Sequence, residues 1–330
     1  KLLFLLNFIF INISNADNHN IYVILDSIKD DLIELRDSKG SRRRAVKNAY
    51  KKACAFFGDV TVEAPLEIWI SNRRRNDKEG TEKDKVELID LFCEHRKKVD
   101  ASFNNCENFI KQTRMGSSNA NFWHTKNGSN IKFYHINLRK HSDNLRDPSA
   151  EYVAIHEYFH NWQQHKIGAF KVGRNVFDKR VGKTEDGSRP WFTEGGATFL
   201  SHYLYSKMAK EDFKFPDPRA KSDHLKEYML NYLNDSKHKI KEGLKVKELK
   251  YADWKSGGED AYNISTWSAA YLIHLIGLEK YLAIYDDLDE MEFEDAFFKN
   301  FKFSSDEFDK RFVDFMIKSS TGDKIKMLPK

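Results

Sequence analysis

The sequence has few cysteines and lacks the C-x-x-C pairs of a cysteine-ligated metal knuckle, so it does not favour that class of metal site. Its 330 residues include three cysteines, Cys54, Cys93 and Cys106. An oxidising compartment permits one disulfide among them, and Cys93 with Cys106 would close the shortest loop. Buried thiols are the alternative, and the spacing alone does not decide between the two.

A strong excess of one charge is also missing. The chain carries 55 lysines and arginines against 50 aspartates and glutamates, which gives a formal net charge of +5. The arginine triplets at 42–44 and 73–75 are isolated, and we interpret them as solvated surface. This balance does not favour a nucleic-acid partner, and the composition is that of a globular protein.

Long apolar runs are absent after the first residues. Residues 1–16 read KLLFLLNFIFINISNA, with a basic start, an apolar core and small residues before a cleavage site after Ala16. This pattern predicts a secretory signal peptide over 1–16. A membrane anchor would need about 20 apolar residues, and asparagines interrupt this run earlier. We therefore expect an exported protein, secreted or periplasmic, with no membrane anchor.

Helical and strand periodicities are distributed unevenly along the chain. The strand patterns are APLEIWIS (64–71) and a hairpin over 119–138 with an Asn-Gly turn. The helical patterns cover 21–57, with a break at SKGS, then 81–99 and most of the chain after 148. The front half is thus mixed, and the back half is mainly helical.

We predict from this distribution an α+β fold with two lobes that share a cleft. The N-terminal lobe, 17–165, would contain the small sheet and a helix rich in histidine. The C-terminal lobe, 166–330, would be mainly helical. The meeting point of the two lobes is where the sequence places its most informative motif.

That motif is AIHEYFHNWQQH (154–165), within a helix predicted over 148–166. Positions four apart share one side of a helix, so His156 and His160 can bind one metal ion. Glu157 lies one step round the helix, where it can reach water at that metal as a general base. Two surface histidines on an amphipathic helix are the alternative, and the motif alone does not exclude them.

A catalytic zinc usually has three protein ligands, so a third must be found. Metzincin peptidases have a glycine and then a histidine ligand at the positions of Gln163 and Lys166, so this sequence does not match their pattern. His165 lies one residue before the position of that ligand. Downstream, RPWFTEGGATFLSHYL (189–204) predicts a second helix with Glu194 on its first turn, where the carboxylate could close the site. A glutamate favoured there only by the helix dipole is the alternative.

HEYFH followed by WFTEGGATF resembles the gluzincins, the thermolysin-like zinc peptidases, whose pattern is H-E-x-x-H and then W-[LF]-x-E-G-x-A on a helix. The tyrosine inside the first motif is similar to that of bacterial collagenases and small exported gluzincins. The resemblance implies a zincin-like two-lobed fold with zinc as the cofactor. It also implies His156, His160 and Glu194 as the zinc ligands and Glu157 as the catalytic base. The 33 residues of 161–193 exceed the thermolysin spacing, and the connection KIGAFKVGRNVFDKRVGKTEDGSR (166–189) would form an inserted loop.

A further catalytic residue follows from the same resemblance. Gluzincins often open a later helix with Tyr-x-x-[Gly/Ser], whose phenol stabilises the oxyanion, and Tyr262 with Ser265 fits this pattern. Tyr271 is the other candidate, and a core tyrosine is the alternative for either. The tail at 293–316 resembles the closing helices of exported gluzincin domains.

The predicted hairpin supplies one more expectation. Its strand IKFYHINL (131–138) would be the sheet edge above the zinc, to which a peptide substrate adds its backbone. His135 on this strand could be a fourth ligand, although a histidine on a strand surface is the simpler interpretation.

These features predict an exported zinc-dependent peptidase, in which a metal-activated water hydrolyses peptide bonds with Glu157 as general base. The expected partner is a peptide or protein substrate. The lack of a G-x-M-E-N stretch favours an endopeptidase over an exported aminopeptidase. A binding module with a peptidase-like fold and a structural or absent zinc is the rival class. Every catalytic role is filled in this sequence, which favours the enzyme.

Overall fold

A computed structural model describes residues 22–23, 41–60, 66–71, 78–99, 106, 119–124, 130–137, 150–182, 190–211, 223–246 and 259–329. The predicted signal peptide lies outside these residues. So do the predicted hairpin turn and the first two positions of the histidine-containing helix.

Helices make up most of the described chain. They are α1 (Ser41–Phe57), α2 (Lys78–Val99), α3 (Ala150–Lys166), α4 (Ala169–Val172), α5 (Arg174–Arg180), α6 (Pro190–Glu211), α7 (His224–Lys241), α8 (Glu259–Ile276), α9 (Leu278–Asp287), α10 (Phe293–Phe301), α11 (Ser305–Lys318) and α12 (Thr321–Lys326). The predicted helix at 81–99 is therefore α2, and the helical back half is confirmed.

The described strands form one small sheet. They are β1 (Tyr22–Val23), β2 (Leu66–Ser71), β3 (Asn119–His124) and β4 (Asn130–Asn137). Their order in the sheet is β1-β2-β4-β3. β4 pairs in parallel with β2 and antiparallel with β3, and β1 pairs antiparallel with β2.

The predicted α+β class with a sheet lobe is wrong, because the described chain is mainly helical. The strands have two to eight residues, whereas α1 and α2 in the same half have 17 and 22. The physical reason is that α1 and α3 bury their apolar faces against each other, so that Phe57 packs on Phe159 and Trp162. Periodicity located β2, β3 and β4 but did not show that helix-on-helix packing dominates this half.

Two predictions for the front half also need correction: one segment predicted as helix contains a strand, and one strand predicted at the sheet edge is internal. Tyr22–Val23 pairs with β2, although the pattern at 21–57 predicted helix there; the part of that prediction after SKGS is correct and is α1. IKFYHINL corresponds to β4, which lies between β2 and β3 and is not an edge. Periodicity shows which faces of a strand are apolar but not which strands flank it.

The cysteines adopt the first of the two arrangements considered. Cys93 of α2 and Cys106 form a disulfide, with their Cα atoms 5.7 Å apart, and Cys54 of α1 is not part of a disulfide. Among the described helices, none combines the length and the apolar character that crossing a bilayer requires.

Helix α3 occupies the centre of the described structure. It contacts α1, β3 and β4 from the front half and α6 from the back half. Ala154, Ile155, Tyr158 and Phe159 have no exposed surface. A helix that is buried on most of its sides is held rigidly, and this rigidity fixes the positions of the polar groups on α3.

Candidate metal centre

Helix α3 places two imidazoles on one side. His156 and His160 are one turn apart, as the spacing predicts, and their Nε2 atoms lie 3.1 Å apart. The side chains have relative exposures of 11 % and 15 %. Both rings are therefore largely withdrawn from solvent.

Helix α6 supplies the third group. It begins at Pro190, whose fixed φ and missing N–H suit a first helical position. Glu194 is the fifth residue of the helix, so it stands at the start of the second turn and not on the first turn as predicted. The helix dipole acts mainly within the first turn, which weakens the dipole as the reason for a glutamate at this position.

Two glycines after Glu194 let other helices approach α6 closely. A Cβ on Gly195 would lie 2.3 Å from the backbone oxygen of Ser265 in α8, and one on Gly196 would lie 2.1 Å from the Tyr281 hydroxyl of α9. A side chain at Gly195 would push against the backbone of α8, and one at Gly196 would displace the ring of Tyr281 in α9. The glycines thus bring α8 and α9 against the turn that carries Glu194.

The three polar groups form a nearly equilateral triangle. Glu194 Oε2 lies 3.2 Å from His156 Nε2 and 3.1 Å from His160 Nε2. Among the described residues, these three form the group whose ligand atoms could hold a metal ion. Donors about 2.0–2.1 Å from a tetrahedral zinc lie roughly 3.3 Å from one another. The donor set and its spacing therefore fit zinc.

The charges within the triangle are coupled. Burial opposes a charged imidazole, but the Glu194 carboxylate outweighs it and raises the pKa of His160 to about 9. Burial would raise the pKa of Glu194, yet the two histidines hold it well below its usual range. The pKa of His156 is lowered, chiefly by burial. A cation bound here must displace the proton that Glu194 keeps on His160, so metal affinity would fall in acid.

Glu157 lies beside this triangle without belonging to it. It has 4 % exposure, and its Oε2 atom has no hydrogen-bond partner among the described residues. Burial raises the pKa of Glu157 to about 8. A buried carboxyl with an unsatisfied oxygen is costly for folding alone. A nearby divalent cation would favour its charged form and bring this pKa toward that of a general base.

The structure separates the two tyrosine candidates. The ring of Tyr262, in the first turn of α8, lies 6.5 Å from the His156 ring between centroids. Tyr271 lies further along α8, where it stacks on Phe315 of α11 at 4.4 Å. Tyr262 therefore borders the triangle, and Tyr271 belongs to an aromatic cluster with α11.

The remaining histidine candidates do not join the triangle. His165 lies near the end of α3 and is not one of the three residues whose ligand atoms converge. His135 lies on β4 opposite Trp69 and Asn119 of the flanking strands. Its side chain is outside the described part of the structure.

Sequence reasoning missed two features near the site. The first is a hydrogen bond between Gln163 Oε1 and His160 Nδ1, 2.8 Å apart. The spacing of three residues on one helix could have indicated this contact. His202 of α6 and His224 of α7 form a second buried pair, with ring nitrogens 2.9 Å apart. No spacing rule connects these two positions.

Comparison with known proteins adds no relative. The chain matches no protein-family model, no curated protein and no solved structure. What the site can do is therefore inferred from its own geometry.

Proposed function

We propose that this protein is a zinc-dependent peptidase with His156, His160 and Glu194 as metal ligands, as its resemblance to gluzincins at these residues implies. The observation that carries the proposal is the convergence of three ligand atoms within 3.2 Å of one another, beside a buried carboxyl that is not one of them. Such a donor set leaves a tetrahedral zinc one position for water or substrate.

The roles divide between the metal and the chain. Zinc, when bound, would supply Lewis acidity, which polarises a scissile carbonyl and makes water easier to deprotonate. Glu157 would accept the proton of the attacking water and deliver it to the leaving amine. Its burial keeps solvent away from this proton, and its position one residue after His156 keeps it near the metal without binding it.

Tyr262 would donate a hydrogen bond to the oxygen that becomes negative during the attack. Its position in the first turn of α8 depends on Gly195, which allows α8 to lie against the turn that carries Glu194. This support is geometric, since the ring lies next to that of His156.

Substrate and location are part of the proposal. The substrate would be a peptide or protein cleaved within its chain, because the G-x-M-E-N stretch with which aminopeptidases of this superfamily hold a substrate amine is missing from the sequence. Export is supported by the disulfide of Cys93 and Cys106, which is typical of oxidising compartments.

Substitution of the general base tests this function. Glu157→Gln should keep its zinc, because Glu157 is not a ligand, and should lose about 100- to 10,000-fold in peptide hydrolysis, because an amide cannot accept the proton. Glu151→Gln is the matched control, since Glu151 is also a buried glutamate of α3, at 2 % exposure. The measurement is cleavage of a peptide library together with zinc content.

The outcomes distinguish the enzyme from a binding module. Zinc-loaded wild type that cleaves nothing in a diverse library would support the binding module and contradict the proposal. Equal cleavage by Glu157→Gln and wild type would contradict the mechanism.

A second pair of variants tests the oxyanion donor. Tyr262→Phe should lose on the order of a hundredfold in hydrolysis with zinc retained, because one donor is removed. Tyr271→Phe should keep its activity, because Tyr271 packs against α11. Equal losses in the two variants would remove Tyr262 from the mechanism.

A further inference from the structure

Gln163 connects the elements that carry the candidate ligands. It lies on α3 one turn after His160 and is 1 % exposed. Its Oε1 lies 2.8 Å from His160 Nδ1. Its Nε2 lies 3.3 Å from the backbone oxygen of Thr193 and 2.8 Å from the Tyr285 hydroxyl. The side chain therefore joins a candidate ligand on α3 to the residue directly before Glu194.

The contact with Thr193 determines the orientation of the Gln163 amide. A backbone carbonyl only accepts hydrogen bonds, so the amide nitrogen faces Thr193 and the amide oxygen faces His160. An amide oxygen also only accepts, so His160 must carry a hydrogen on Nδ1. Once a cation has displaced the second proton of His160, the neutral imidazole with hydrogen on Nδ1 has its lone pair on Nε2. Nε2 faces the triangle.

The other end of Gln163 is anchored in α9. Tyr281 donates to the backbone oxygen of Phe192 at 3.3 Å. The Tyr285 hydroxyl oxygen accepts from Gln163 Nε2 at 2.8 Å. Both tyrosines have no exposed surface. The Gln163 amide nitrogen is thus held between the Thr193 carbonyl of α6 and the Tyr285 hydroxyl of α9.

We propose that Gln163 is a positioning residue that holds His160 with Nε2 toward the metal and thereby raises zinc affinity. The inference rests on the proposed function, since it takes His160 as a zinc ligand. Groups that hydrogen-bond the outer nitrogen of a metal-binding histidine typically change metal affinity about 10- to 100-fold. Gln163 is such a group, because it is buried and its amide is held by Thr193 and Tyr285 while its oxygen faces His160.

Three variants test this role. Gln163→Met keeps the size of the side chain but removes the acceptor for His160. Gln163→Glu restores an acceptor at the same place. Gln164→Met is the matched control, because Gln164 is the next residue of α3 and is also buried, at 4 % exposure. The measurements are the zinc dissociation constant by competition with a chelating indicator, and solvent exchange of the His160 Nδ1 hydrogen by NMR.

The expected pattern separates positioning from general packing. Gln163→Met should bind zinc about 10- to 100-fold more weakly and exchange its Nδ1 hydrogen faster. Gln163→Glu should recover most of the affinity and protection, and Gln164→Met should match wild type in both. Zinc binding by Gln163→Met that equals wild type would overturn the inference, as would equal losses in all three variants.

Two further outcomes are interpretable. If Gln163→Met does not fold, Tyr285→Phe replaces it: loss of the far anchor should weaken zinc binding and protection, and an unchanged variant would overturn the inference. Wild type that binds zinc but hydrolyses no peptide would contradict the proposed function and leave the role of Gln163 intact. In protein without zinc, the protected Nδ1 hydrogen still reports the orientation of His160.

Discussion

Two pairs of buried histidines lie close together in this protein, and they differ in what surrounds their ring nitrogens. The α3 pair is His156 and His160, and the α6–α7 pair is His202 and His224. The nitrogen separations are similar, 3.1 Å and 2.9 Å. Proximity of two imidazoles therefore does not by itself distinguish a metal site from a structural contact.

The α3 pair has a carboxylate and a fixed orientation. Glu194 lies within 3.2 Å of both Nε2 atoms. Gln163 hydrogen-bonds the other ring nitrogen of His160, Nδ1. Two nitrogen lone pairs and an anion that face one point favour a cation between them.

The α6–α7 pair has aromatic walls instead. His202 stacks between Tyr152 at 4.2 Å and Tyr228 at 3.5 Å between ring centroids, and Tyr205 packs edge-on against His224. Among the described residues, this pair is not part of any group of three potential ligands. Its nitrogens face each other in a hydrogen bond, so we infer a structural role.

The largest expected effect is on zinc content. His160→Ala should abolish the one zinc per chain, because two remaining donors are too few for a stable site. His224→Ala should keep it, because the α6–α7 pair is not a ligand set. Metal analysis of both purified variants checks this, and full occupancy in His160→Ala would contradict the ligand assignment.

A smaller effect is expected on stability. His202→Phe keeps an aromatic ring between Tyr152 and Tyr228 but leaves the ring nitrogen of His224 without its hydrogen bond to His202. Loss of one partner of a buried hydrogen bond costs about 1–3 kcal/mol, so the free energy of unfolding should fall by that amount while zinc content is unchanged. Denaturant titration measures the free energy of unfolding. A value for His202→Phe equal to that of wild type would contradict a structural role for the pair.

The smallest effect is a dependence of stability on pH. Burial, together with the neighbouring His224 and His156, lowers the pKa of His202 well below 6.5. The unfolded state therefore takes up a proton in acid that the folded state does not. The contribution of His202 should be constant above about pH 6.5 and should fall by about 1 kcal/mol per pH unit below it.

Comparison of wild type with His202→Phe isolates this contribution from that of the other ionisable groups. The difference in unfolding free energy between the two proteins should shrink as the pH falls from 7.5 to 5.5. A difference that stays constant over this range would show that His202 is not held neutral by the fold.

The two pairs also show how far the sequence could be interpreted. His156 and His160 share one helix, so a spacing of four residues was sufficient to place them together. Glu194 required a second helix to pack against the first. Its place in that predicted helix made it a candidate, and the resemblance to gluzincins implied that it is a ligand. His202 and His224 meet through the packing of α6 on α7, which no local pattern encodes.

The fold was predictable to the same extent. The positions of helices α2 and α3 were predicted to within a few residues, and the start of α6 to within one residue. The parallel pairing of β2 with β4 joins positions 66 residues apart, and its existence depends on contacts that periodicity does not report. The larger share of helix than of strand in the front half depends on the same long-range packing.

Anomalous diffraction from crystals grown with zinc tests the central claim most directly, because it locates the metal relative to both histidine pairs. We expect one peak, about 2.0–2.2 Å from Nε2 of His156, Nε2 of His160 and a carboxylate oxygen of Glu194, with a fourth position open to water or substrate. A peak between His202 and His224, or four protein ligands with no open position, would contradict the account.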